Sequence, residues 1–142
     1  MDLQPIIDRL AAQATAFRSV EGALELAALE APGKTPGQGP DAYVVPLAED
    51  GGPNRMATIV SQAISVRFGV VIMVRRHGDP RGAKKAADLA VLRQAVTDAL
   101  VGWQPSPDHE PVLFGRGRLS DIRAGALWWM DEYTTETSLR KS

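Results

Sequence analysis

Few side chains in this 142-residue sequence are placed to do covalent or acid–base chemistry. The two histidines, His77 and His109, stand in turn-rich segments beside Asp79 and Glu110, a setting typical of surface charge rather than of a general base or metal ligand. The adjacent acids Glu49-Asp50 and Asp131-Glu132 point to opposite sides of an extended chain and so do not form a working carboxylate pair. There is no cysteine, which removes thiolate nucleophiles, disulfides and the commonest zinc ligands. Neither Gly-x-Ser-x-Gly nor His-Glu-x-x-His occurs.

Two glycine-containing segments invite a nucleotide reading, and both fail it. Gly33-Lys34-Thr35 has the ending of a phosphate-binding loop, but Ala28 stands where the first glycine is required and Pro36-Gly37 follows where a helix must start. Gly115-Arg116-Gly117 opens like a dinucleotide fingerprint, yet Ser120 occupies the third glycine position and no helical pattern follows. The sequence therefore implies no enzyme, no cofactor and no metal.

What remains are residues suited to contact. Arg116 and Arg118 share one strand face by period two, and Arg55, Arg75 and Arg76 fall near strand ends. They suit DNA phosphates, acids of a neighbouring subunit, or simple solubility. Trp128 and Trp129 are adjacent in a strand-like segment, so they face opposite ways; one packs inside and the other meets a partner. Trp128 is the interface candidate and Trp129 the core residue, with a core position under the first or third helix as the alternative for Trp128. A formal net charge of -1 provides no global field toward nucleic acid or membrane, so any DNA contact is local.

The elements that position these residues follow from periodicity. Ile7, Leu10, Ala14 and Phe17 make one helical face within 3–17, and Glu21 to Ala31 favours a second short helix by composition, although Leu24 and Leu26 also alternate as in a strand. Residues 32–40 hold three prolines and three glycines and read as an exposed loop. A strand spans 42–48, with Pro46 at a sheet edge or bulge. A long strand spans 58–75, its face Ile64, Val66, Phe68, Val70, Ile72 and Val74 wholly apolar, with a bend expected at Gly69. A helix from 81 or 83 to 101 ends at Gly102-Trp103-Gln104-Pro105, and a hairpin of 112–122 and 126–137 turns at Arg123-Ala124-Gly125. The expected fold is one α+β domain over 1–142, an antiparallel sheet of about four strands with helices packed on one face. No apolar run approaches a membrane span and acidic Asp2 stands where a secretion signal is basic, so a soluble protein of a reducing cell interior is expected.

Three separated segments, in order and spacing, resemble the phage tail terminator family. They are Val45-Pro46-Leu47-Ala48-Glu49 with Pro53-Asn54, Arg67-Phe68-Gly69-Val70-Val71, and Gly102-Trp103-Gln104-Pro105 followed by Phe114 to Leu119 and Leu127 to Tyr133. The resemblance covers about residues 42–137 and is weak before that. It implies a non-enzymatic virion protein at the head-proximal end of a tail, assembled in the host cytoplasm as a hexameric ring that caps the tube. The implied partners are further copies of the chain, the major tail tube protein and a head-closure or neck connector, with DNA in the lumen as a transient contact and no membrane. Family members carry no catalytic motif to transfer. The interface candidates are Glu49, Asn54, Arg55, Arg75, Arg76, Arg116, Arg118 and Trp128. The alternatives are another ring or adaptor of the same particle, such as a head-closure or tube protein, and a small enzyme with an unrecognised site.

Overall fold

A computed structural model describes residues 1–29, 39–75, 83–123 and 125–142, with the backbone alone for 83–87 and 123. Its elements are α1 (Gln4–Gln13), β1 (Ser19–Gly22), α2 (Ala23–Ala28), β2 (Asp41–Gly51), β3 (Val60–Arg75), α3 (Ala83–Leu100), β4 (Leu113–Arg123) and β5 (Ala126–Lys141). The loop expected at 32–40 lies almost wholly outside the described residues, as do Arg76 and His77.

The five strands form one sheet in the order β1-β2-β3-β5-β4. All neighbours run antiparallel except β1, which is parallel to β2 through Ser19↔Asp41 to Gly22↔Val44. The sheet is therefore mixed and five-stranded, not antiparallel with four. The additional strand is short, and its stability is non-local. The carboxylate of Asp41, fully buried, accepts bonds from Arg18 Nη2 and Ser19 Oγ, each at 2.8 Å, and these fasten the start of β1 to β2.

Strands β3 and β5 are the frame. They pair without a register shift from Val60↔Lys141 to Arg75↔Ala126. The β3–β5 register is unbroken at Gly69, and the register shift lies instead in β2, between Pro46 and Ala48. Pro46 stands beyond Val44, the last β2 residue paired with β1, so its missing N–H falls on the open side of β2 beside the bulge. Gly69 has another use. A Cβ there would come within 2.6 Å of Met130 Sδ, so the absent side chain makes room for Met130 across the ladder.

Alternation along these strands sends apolar residues to both faces. One face carries Ala42, Val44, Phe68, Val70, Ile72 and Tyr133, covered by Ile6 and Leu10 of α1 and Leu92, Val96 and Ala99 of α3. Helix α1 ends at Gln13, so Ala14 and Phe17 join this core from beyond the helix, and Ile6 rather than Ile7 is its buried centre. The other face carries Tyr43, Val71, Met73, Trp128 and Met130, with Leu26 of α2 and Leu29 packed on it. Helices thus occupy both faces, two on one and α2 on the other.

Helix α3 stops as its sequence demands. Gly102 takes φ 84°, a left-handed conformation that costs glycine little, and the Trp103 N–H folds back to the Leu100 carbonyl.

The tryptophan assignment is reversed. Trp128 is 3% exposed and stacks on Tyr43 with centroids 6.2 Å apart, whereas Trp129 is half-buried. Trp128→Ala should lower unfolding stability by ~3–5 kcal/mol, as for other core aromatics, and Trp129→Ala by ~1–2 kcal/mol; denaturant melts of both variants measure the difference. The chain's two tyrosines sit one in each core, and burial pushes both hydroxyls up to about 12, with Asp41 adding to the effect at Tyr43. Since the fold favours the protonated forms, this stability is complete below pH ~10, the unfolded tyrosine value, and lost as pH rises to about 12. Absorbance at alkaline pH should accordingly show tyrosinate in the unfolded chain before the native one.

Candidate assembly surface

The residues brought together most closely lie on the β4–β5 hairpin. In the register Arg116↔Glu132 and Arg118↔Met130, the two arginines stand on the Met130 face, as their spacing predicts. Glu132 is buried, and its Oε2 accepts from Arg116 Nε at 2.8 Å, with Arg118 Nε at 3.9 Å. Both guanidinium groups remain largely in solvent. They neutralise a carboxylate that would otherwise be buried without a counterion, and they present positive charge outward along an edge strand.

On the opposite face, a second cluster was not legible from spacing. Asp131 is 1% exposed and accepts from both Arg93 Nε (3.0 Å) and Nη2 (2.9 Å), and from Trp129 Nε1 at 2.9 Å. The Arg93 guanidinium lies 4.6 Å over the Trp129 ring, within cation–π range. Its pKa is raised, chiefly by the hydrogen bonds to Asp131. The Gly-Arg-Gly segment that failed as a nucleotide fingerprint finds its reason here. A Cβ on Gly117 would meet Asp131 Oδ1 at 2.3 Å and Arg93 Nη2 at 2.7 Å, so only glycine lets α3 reach β5 across β4. A glycine amid alternating arginines was the available signal, but its partner Arg93 is remote in sequence.

The remaining candidates are dispersed. Arg55 and Arg75 sit at opposite ends of β3: the Arg55 N–H bonds the Ser61 carbonyl, and Arg75 pairs with Ala126 at the far end of the ladder. Arg55 Nη2 is also 3.9 Å from Glu136. Asn54 organises the loop before β3, accepting the N–H groups of Ser61 (2.8 Å) and Met56 (3.3 Å) and donating to the Ile59 carbonyl. Glu49 accepts from the Met1 ammonium at 2.5 Å. Trp128 offers no contact surface, since Tyr43 and the second core cover it. His109 Nδ1 lies 2.7 Å from Ser106 Oγ, but that hydroxyl also accepts the Asp108 N–H, which makes the pair part of a local turn. Among the described residues no group of three or more His, Asp or Glu is arranged to hold a metal ion.

Two open sheet edges complete the surface. Strand β4 is the last strand on its side and exposes Leu113 (60%), Phe114, Leu119 and Ile122 (67%). On the other side β1 covers only Asp41–Val44 of β2, and the stretch 45–51 extends past it. If Arg93, Gly117 and Asp131 form one unit, Arg93→Ala and Gly117→Ala should each lose ~2–3 kcal/mol, less than a fully buried pair because Arg93 is partly solvated. The double variant should lose little more than the worse single one, a non-additivity that thermal or denaturant melts can measure.

Comparison with curated proteins finds no match. Among solved structures, a chain from the virion of a native gene transfer agent particle shares the fold, with a TM-score of 0.51 at 19% identity, covering 92% of this chain and 84% of that one. The family match spans residues 1–142 and is to the phage tail terminator proteins. Over its whole described length, then, this α+β subunit with open sheet edges belongs to the phage tail terminator family, structural proteins of the phage virion.

Proposed function

We propose that this protein, one 142-residue domain, ends tail growth by closing as a hexameric ring on the last ring of the tail tube, where it then offers the attachment surface for the head or neck. The family match across residues 1–142 carries this reading. It acts by binding, without catalysis, metal or cofactor. Its partners are five further copies, the tube protein and a neck connector, with DNA passing through the lumen. The work takes place in the host cytoplasm and leaves the protein at the head-proximal end of the tail.

The fold supplies surfaces suited to this. Beyond Leu113↔Thr134, the β3–β5 ladder continues without β4 as a ribbon of residues 60–66 and 135–141, with exposed Val60 and Leu139. Asn54 and Arg55 shape the loop leading into it. This ribbon is assigned to contact along the tail axis, and the sheet edges with Arg116 and Arg118 to contact around the ring. Six weak axial contacts act together on a six-fold tube, so capping can be nearly irreversible even where each contact is weak. Growth stops because the far side of the ring does not reproduce the docking surface of the tube protein.

Deleting the gene should leave tails that overgrow or fail to join heads, scored by electron microscopy of the particles. Normal-length tails attached to heads in its absence eliminate the proposal. The ring on purified tubes should have six-fold symmetry, and a closed ring of another number on a simple six-fold tail counts equally against it.

A further inference from the structure

Beside the end of β1 the first core opens to solvent. A groove of about 430 Å³ lies between the start of α1 and the β1–α2 junction, a volume within the range of sites that bind organic groups. Its floor is apolar: Val44 belongs to the first core, and Ile7 and Val20 pack against that core while staying partly exposed. Leu24, 84% exposed, borders the groove and joins neither core. The rim is acidic. Asp2 Oδ1 accepts the Gln4 N–H at 2.9 Å and Glu25 Oε2 the Gly22 N–H at 3.1 Å, so backbone bonds hold both carboxylates in place. Among the described residues neither has a cationic partner. Glu21, also on the rim, shares Arg18 with the fully buried Asp41, which bonds that guanidinium at 2.8 Å. The Met1 ammonium is taken by Glu49. Each of these two cations already has a carboxylate of its own, so the rim keeps its negative charge.

We infer that this groove receives a short segment of a different virion protein, one in which an aliphatic residue is flanked by lysine or arginine. The inference rests on the tail-end reading above and gives one of its partners a binding site. An aliphatic side chain on the Ile7, Val20 and Val44 floor removes from water the apolar surface that α1 and β1 leave open. A basic neighbour lays its hydrocarbon stem along Leu24 while its charged head reaches Asp2, Glu21 or Glu25. The anchoring is by side chains. Strand addition is blocked along the adjoining stretch of β2, because Pro46 has no N–H to donate, the register shifts before Ala48, and the charged Glu49 and Asp50 follow. The arginines that β4 of a second copy would offer are already engaged, since Arg116 bonds buried Glu132 and Arg118 stands 3.9 Å from the same carboxylate.

Photo-crosslinking in assembled particles tests the groove. Leu24→p-benzoylphenylalanine changes an exposed side chain outside both cores. Irradiation should join it to one segment of another virion protein, with lysine or arginine beside an aliphatic residue, as identified by mass spectrometry. A synthetic peptide of that segment should bind the purified protein in calorimetry and lose at least tenfold in affinity when its basic residues are changed to glutamine. Glu21→Gln combined with Glu25→Gln keeps an acceptor oxygen at each position and should weaken the unmodified peptide at least tenfold, with the melting temperature unchanged; the glutamine peptide reads the same charge contact on the wild-type fold. No adduct, adducts confined to copies of this chain, or a peptide whose affinity ignores its basic residues overturns the groove as a docking site. Particles with normal tail ends and no adduct count against the groove alone, whereas normal tails after gene deletion count against the tail-end reading.

Discussion

The unbroken pairing of β3 with β5 is the constraint on which the rest of this structure depends. Sixteen residues on each strand stay in register from Val60↔Lys141 to Arg75↔Ala126. A ladder this long buries backbone groups efficiently but leaves two faces to be covered, because successive side chains alternate between them. Where Val70, Ile72 and Val74 alternate with Val71 and Met73, both faces are apolar, and neither can be left to water. Helices α1 and α3 cover one and α2 with its flank the other. Where the pattern becomes polar, at 60–65 and 136–141, the ladder continues as a ribbon beyond both cores.

Centrality also explains the handling of charge. Alternation forces Asp131 and Glu132 of β5 onto opposite faces, and both are buried. Each carboxylate removed from water needs a partner at hydrogen-bond distance, since an unpaired buried charge costs several kcal/mol, on the order of 3–5 when a pair is broken. Arg93 meets Asp131 from α3, and Arg116 meets Glu132 from β4. These pairs tie the outer strand and a helix to the frame, so the register of β4 is set by charge as well as by backbone bonds. Asp41 does the same for β1 through Arg18 and Ser19.

Much of this was legible before the structure. Residue periodicity places α3, its Gly102 stop, the long β3 strand and the β4–β5 hairpin, because each is encoded locally by alternation, helical spacing or turn chemistry. Strand β1 was not legible: Ser19–Gly22 is held by Asp41, about twenty residues away, and composition reads a helix from Glu21 onward and assigns nothing to Ser19 and Val20. Helices on both faces were missed for a related reason, since Tyr43, Val71 and Trp128 reveal a second core only when their strands are laid side by side. For the tryptophans, periodicity says that 128 and 129 differ and not which is inside. The answer lies in Tyr43 on β2 and Arg93 on α3. Arg116 and Arg118 were correctly placed on one face, but Glu132 as their shared anchor depends on register.

An exposed edge strand is ordinarily a hazard, and a soluble protein blunts it with charge or covers it. In β4, charge and exposed apolar residues occur together: Arg116 and Arg118 stand between Phe114 and Leu119. Charge alone would keep the edge solvated, and apolar residues alone would make it stick indiscriminately. Together they suit an edge that pairs selectively. In the proposed ring every sheet edge meets a neighbouring subunit, so closure leaves no edge free for further lateral growth. The same closure that organises the ring therefore also limits it.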